Sequence, residues 1–347
     1  KSHYFHRLCF VDFELNLSMK FLFRFLILFT IISLVGCTSE TKKSPIDFYY
    51  WRSNYSVNET EKKAVDSLKV ENVYVRFFDV DKKLNKISPV GIIQNFDATK
   101  LNVNYIPTVF ITNQTFLNTS KDQVKILAKD VYNFLSETAE RGSLKNFNEI
   151  QIDCDWTKST RENYFMFLSE LKHISGKKLS ATLRLHQVKF KEQEGVPPLD
   201  KMVLMCYATE NPTDQSENNS ILDLKIAKDY LKNLKDYPIK LDVALPIYSW
   251  AILTNHQGRI KLINSFSEQD LIGKPVKKIR NGFYEVEDDF FVRNFYVSKG
   301  FTIKVETISP ELLVETKSFI DTKLSYNYRL IYYHLDSKFL KTIPTQL

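Results

Sequence analysis

Two aspartates one residue apart, Asp153 and Asp155, lie in the segment EIQIDCDWT at 149–157. Side chains of an extended strand alternate between faces, so both carboxylates point into one space. Like charges held together push their pKa values apart, and one of the pair rises toward a value useful for proton transfer. The opposing reading is a structural ion network in which Arg76 or Arg184 neutralises the pair. Trp156 follows directly and offers an aromatic face beside the acids.

Such a pair works only if elements hold it at the edge of a cavity. Eight β-rich apolar runs recur along the chain, at 46–51, 72–79, 105–111, 149–155, 179–185, 202–207, 240–247 and 329–335. Helical patterns separate them near 57–69, 121–140, 160–174, 223–236 and 309–323. The helix at 121–140 shows a stripe of Val124, Leu127, Ala128, Val131, Phe134 and Leu135. Near-continuous apolar strands with helical crossovers predict an α/β fold, a (β/α)8 TIM barrel spanning 46–347. From about 255 to 305 the rhythm breaks. GRIKLINSF, GFYEVEDDFFVR and GFTIKVETI read as short antiparallel strands with glycine turns, hence a small α+β or β insertion after the seventh strand.

In a parallel barrel the chemistry gathers at the carboxyl ends of the strands. Those ends carry Trp51; Arg76 and Asp79; Asp153, Asp155 and Trp156; Arg184, His186 and Gln187; Tyr207 and Glu210; Tyr248 and Trp250; and His334 and Asp336. All three tryptophans of the chain fall in this set. Aromatic faces beside carboxylates and hydrogen-bonding groups suit a carbohydrate, whose C–H faces stack and whose hydroxyls need directed partners. Aromatics that merely cap the barrel core are the alternative.

The segment IQIDCDWT resembles the strand-four signature of glycoside hydrolase family 18, the chitinase-like barrels, whose pattern is Asp-x-x-Asp-x-Asp-x-Glu. LMCY at 204–207 is similar to that family's Met-x-Tyr-Asp. The resemblance implies that Asp153 and Asp155 are the second and third acids of the signature. It implies that Asp155 orients an N-acetyl group that itself attacks the anomeric carbon, with Tyr207 helping to hold that group. The chain departs from the pattern at Ile150, where the first acid belongs, and at Thr157, where the general acid belongs. It departs again at Ala208, and at YYHLD, where a tryptophan ends the last strand in the family. A threonine hydroxyl does not protonate a leaving oxygen at physiological pH. Asp155, Glu210 and Asp336 are the rim carboxylates available as a replacement acid.

The N-terminus carries a different signal. Met19 opens a basic start with Lys20 and Arg24, an apolar run, and Leu-Val-Gly-Cys at 34–37, which resembles a bacterial lipobox. The expectation is a signal peptide at 19–36, lipidation of Cys37, and a polar tether at 37–45. Residues 1–18 read as an untranslated upstream extension. Thr38 is not the aspartate of inner-membrane retention, which favours the outer membrane of a bacterial cell envelope. From Cys37 onward the balance is 44 basic against 39 acidic residues with no basic run, so nucleic acid is not indicated as a partner. No metal-ligand spacing appears, no cofactor is implied, and Cys154 and Cys206 read as buried thiols. Three readings stand: a hydrolase with a relocated acid, a carbohydrate-binding barrel that has lost catalysis, and a partner-binding lipoprotein.

Overall fold

The computed structural model describes residues 44–84, 86–214 and 216–345. Cys37 and the predicted signal peptide lie outside the described residues. The described residues open with β1 (Ile46–Tyr50) and β2 (Asn72–Lys83), and β3 (Lys86–Val90) runs back along β2. The chain continues through β4 (Asn104–Ile111), β5 (Glu149–Asp153), β6 (Lys178–Arg184), β7 (Lys201–Met205) and β8 (Lys240–Pro246). An inserted region holds β9 (Trp250–Thr254), β10 (Ile260–Asn264), β11 (Val276–Arg280), β12 (Phe283–Val286), β13 (Phe290–Val292), β14 (Phe295–Val297) and β15 (Thr302–Glu306). β16 (Leu330–Tyr333) is the last strand.

Eight of these strands pair in parallel in the ring order β1-β2-β4-β5-β6-β7-β8-β16, and β16 returns to β1 to close it. β3 lies antiparallel on β2 outside the ring. The predicted helices occur as Glu59–Ser67, Lys121–Arg141, Arg161–Ser175, Leu224–Tyr230 and Pro310–Lys323. Ser120 and Gln123 form a capping box that starts the second of these, and Gly176 in the left-handed region ends the third.

The period of two sorts each strand between two environments. Phe48 and Tyr50 pack into the layer under the helices, whereas Tyr49 and Trp51 join Tyr74, Val203, Met205, Tyr207 and Tyr333 in an inner cluster. The interior is layered. At its amino end Asp47 pairs with Arg329, and Lys201 sits 3.2 Å from both Glu149 and Asp242. Above them Tyr49 donates across the barrel to Gln151 at 2.7 Å. Asp153 and Asp155 continue the face of Glu149 and Gln151 toward the carboxyl mouth.

The inserted region is wider than the expected 255–305. It is a five-stranded antiparallel sheet in the order β10-β9-β15-β12-β11, with a β13–β14 hairpin and its own core around Phe266, Val286 and Val297. Trp250 therefore opens the first strand of the insertion rather than ending a barrel strand.

Candidate functional site

A cleft of 390 Å³ opens at the carboxyl mouth of the ring, floored by strand ends and walled on one side by the insertion. Asp153, Asp155, Arg184, Tyr207, Tyr248, Trp51, Trp250 and His334 all line it. Asp153 sits at the floor, only 8% exposed, and accepts a 2.7 Å hydrogen bond from Thr182 Oγ1. Burial, followed by the charge of Asp155, pushes its carboxyl up to about 7. The expected splitting of the pair thus falls on Asp153. The Asp155 side chain is 48% exposed and lies 3.3 Å from Arg184 Nη1, a loose contact that leaves the carboxylate facing the cleft. His334 is held neutral, its pKa lowered to about 4 chiefly by burial.

Aromatic rings form a continuous band across the mouth. Trp51 packs on Tyr333 with centroids 5.7 Å apart, Tyr333 on Tyr248 at 5.6 Å, and Tyr248 edge-on to Trp250 at 5.4 Å. Tyr207 lies beneath, 5.5 Å from Tyr333. On the insertion side Asn264 and Ser265 complete the wall, and Ser265 N donates to Ser249 O at 2.8 Å. Ala208 and Ser265 both adopt positive φ, 53° and 60°, a backbone region that costs a β-carbon-bearing residue about 1 kcal/mol or more. Both positions face the cleft.

No family model and no curated protein matches the chain. Solved structures do. The spore cortex-lytic enzyme SleL of Bacillus cereus matches with a TM-score of 0.53 at 17% identity, over 86% of this chain and 72% of that one. A chitinase from Chromobacterium violaceum matches with a TM-score of 0.54 at 14% identity, over 87% and 98% of the two chains. A class V chitinase from Nicotiana tobaccum, in complex with NAG4, matches with a TM-score of 0.51 at 12% identity, over 88% and 100%. The fold is a TIM barrel. At these identities the likeness to chitinase-like barrels is one of fold, and chemistry must be argued from the residues of this barrel.

Several residues expected at the barrel mouth are placed elsewhere. Trp156 is fully buried, stacked on Tyr164 with centroids 5.2 Å apart, and its indole donates to the Glu194 carbonyl at 3.0 Å. The chain has left β5 by then, and the ring turns under the helix Arg161–Ser175. Gln187 is buried as well: its Oε1 accepts from Arg184 N at 2.8 Å and its Nε2 donates to Trp156 O at 3.0 Å. It shapes the β6 turn instead of meeting a ligand. Glu210 is engaged by Ser216 and by Asn218 Nδ2 within its own loop, away from the cleft lining.

Asp336 accepts from Lys338 N at 3.0 Å in the turn after β16. It is nearly buried and lies outside the cleft lining, as does the half-buried His186. Arg76 and Asp79 are spent on each other, Nε to Oδ1 at 2.6 Å. A β-bulge between Arg76 and Phe78 makes this pairing, because the extra residue returns Asp79 to the face of Arg76. Arg76 still touches the site indirectly, 6.0 Å from the Trp51 ring centroid.

Thr157 lies in a polar turn. Its Oγ1 meets Ser159 Oγ at 3.0 Å and accepts from Asn113 Nδ2 at 3.3 Å, and its backbone N donates to Thr160 Oγ1 at 3.0 Å. Asp153 and Asp155 are the carboxylates among the residues lining the cleft. Among the described residues no group of three or more His, Cys, Asp or Glu side chains is arranged to hold a metal ion. Sequence reasoning missed Phe110, Met205, Ser249, Asn264, Ser265, Tyr333 and Phe339 of the lining. Tyr333 and Ser249 adjoin predicted residues and were within reach of the strand-end rule.

Proposed function

We propose that this barrel binds a carbohydrate in the cleft at its carboxyl mouth and does so without cleaving it. The observation that carries the reading is the aromatic band Trp51–Tyr333–Tyr248–Trp250 standing beside Asp155, Arg184 and Tyr207 in one cleft. Stacking surface next to directed polar groups is what a sugar ring needs. The solved tobacco chitinase, a barrel of the same fold, holds NAG4. Against hydrolysis stands Thr157, a hydroxyl at the position the resemblance gives to the general acid, with Glu210 and Asp336 turned to local structure.

Hydrolysis by Asp153 and Asp155 is the second reading. It is favoured by the burial and the Asp155 charge that push the Asp153 carboxyl up to about 7, next to a half-exposed carboxylate. One paired experiment separates the two. Glycan binding and release of reducing ends are measured together on wild type, Trp250→Ala and Asp155→Asn. Binding without release, weakened about tenfold or more by Trp250→Ala, is the expected result. Release that vanishes in Asp155→Asn establishes the hydrolase, and absence of binding to any glycan refutes both.

The segment from Met19 to Cys37 supports a lipid-anchored protein of the bacterial cell envelope, and Thr38, which is not the aspartate of inner-membrane retention, favours the outer membrane. Incorporation of labelled palmitate into wild type, and none into Cys37→Ala, is the expected outcome. Equal labelling of the two refutes the anchor.

A further inference from the structure

Glu306, the last residue of β15, is a buried carboxylate outside the barrel that reaches the wall of the cleft. It is 2% exposed and faces Trp250 across the β9–β15 ladder. Its Oε2 accepts from Trp250 Nε1 at 2.7 Å and from Ser220 Oγ at 2.5 Å, and its Oε1 accepts from Ser220 N at 3.0 Å. Lys304 Nζ pairs with Oε1 at 2.6 Å and also donates to the carbonyls of Ser216 and Asn218, at 2.8 and 2.6 Å. Asn219 Nδ2 adds a bond to Thr307 O at 2.8 Å. Three parts of the chain meet at this one carboxylate: the loop after β7, the final strand of the insertion, and the tryptophan that lines the cleft.

Burying an ion pair is a poor way to gain stability, because desolvation consumes most of the attraction. An apolar pair would pack this ladder position as well. What the carboxylate adds is direction. A charged acceptor fixed by Ser220 and Lys304 holds the indole N–H, and therefore the plane of the ring. Tyr248 meets the same indole edge-on at 5.4 Å and gives it a second fixed contact.

We propose that Glu306 is a positioning residue for the cleft: it sets the Trp250 indole in the orientation that stacks on the sugar, which makes the insertion sheet a working part of the binding site. This rests on the carbohydrate reading above. A ring ordered in advance spares the ligand the entropy of ordering it.

The test begins with Glu306→Gln, which keeps the shape and removes the charge. The indole Nε1–H signal of Trp250 is followed by NMR, with that of Trp156 on the Glu194 carbonyl as internal reference. In the variant the Trp250 signal moves and its solvent exchange accelerates about tenfold or more, while that of Trp156 is unchanged. An unaltered Trp250 signal and exchange rate overturn the proposal.

The second arm measures affinity for the tightest-binding glycan of an array, with NAG4 included among the probes. Glu306→Gln weakens binding about tenfold and has no further effect in a Trp250→Ala background. If the Gln variant does not fold, Trp250→Phe replaces it, since it keeps the aromatic face and loses only the N–H. Binding left intact by these variants overturns the role of Glu306 alone. No binding by wild type overturns the carbohydrate reading and the role together.

Discussion

Asp153 is a carboxyl that the barrel interior compels to keep its proton. Burial and the neighbouring Asp155 raise it to about 7, against the donation from Thr182 that favours the charged form. The unfolded chain releases the same proton near pH 4. Because the native pKa is the higher one, this group stabilises the fold fully below pH 4, and the contribution is lost as pH rises toward 7. The window between the two pKa values is worth about 4 kcal/mol at 1.36 kcal/mol per pH unit. Asp153→Asn keeps the shape and has no proton to lose. Urea unfolding between pH 4 and 8 should therefore show the variant gaining on wild type by up to that amount as pH rises. Parallel pH profiles would mean that the carboxyl is charged throughout. This behaviour was half legible in the sequence: the spacing of Asp153 and Asp155 announced a split pair, but which acid rises is decided by depth in the barrel, and spacing does not encode depth.

At the scale of elements, what could be read was what periodicity controls. The eight barrel strands and the long helices carry apolar runs or stripes that have few other solutions, and they fold within a few residues of expectation. Residues in step with a strand's alternation reached the cleft, whether at its last position, as Asp153 and Arg184, or two residues on, as Asp155 and Tyr207. Misplacements occur where the alternation ends or is broken. Trp156 and Gln187 lie three residues past the ends of β5 and β6, out of step with the inward face, where the chain turns into helical layers that need apolar and capping partners. Asp79 lies past a bulge, which moved it onto Arg76. Asn264 and Ser265 come from the insertion, whose strands obey no rule about a barrel mouth, so only the three-dimensional packing of that sheet brings them to the site. The insertion itself was visible as a rhythm of glycine turns, and its edge at Trp250 was not, because β9 follows β8 after only three residues, Ile247–Ser249.

For the whole molecule the decisive event is closure, and the ring is fastened at its amino end by one buried carboxylate. Asp47 of β1 is fully buried and accepts from Asn72 N at 2.9 Å and Asn72 Nδ2 at 3.0 Å, at the start of β2. From the other side Arg329, just before β16, grips it with Nε and with Nη2, the latter at 2.9 Å. The first, second and last strands of the barrel thus converge on a single side chain. Bringing strands this distant in sequence together costs loop-closure entropy, and the contact spanning 282 positions ties the two ends of the ring to each other. Arg329→Met leaves the Asp47 charge buried with only the Asn72 donors, which should cost about 3–5 kcal/mol. Replacing both partners, Asp47→Asn with Arg329→Met, removes the unpaired charge while keeping an acceptor for Asn72 N, and should cost less than the arginine change alone. Urea unfolding with unchanged m-values would show that the barrel remains closed in each variant. A single-variant loss under about 1 kcal/mol, the range of an exposed pair, would instead place the strength of closure in the apolar layers above Asp47.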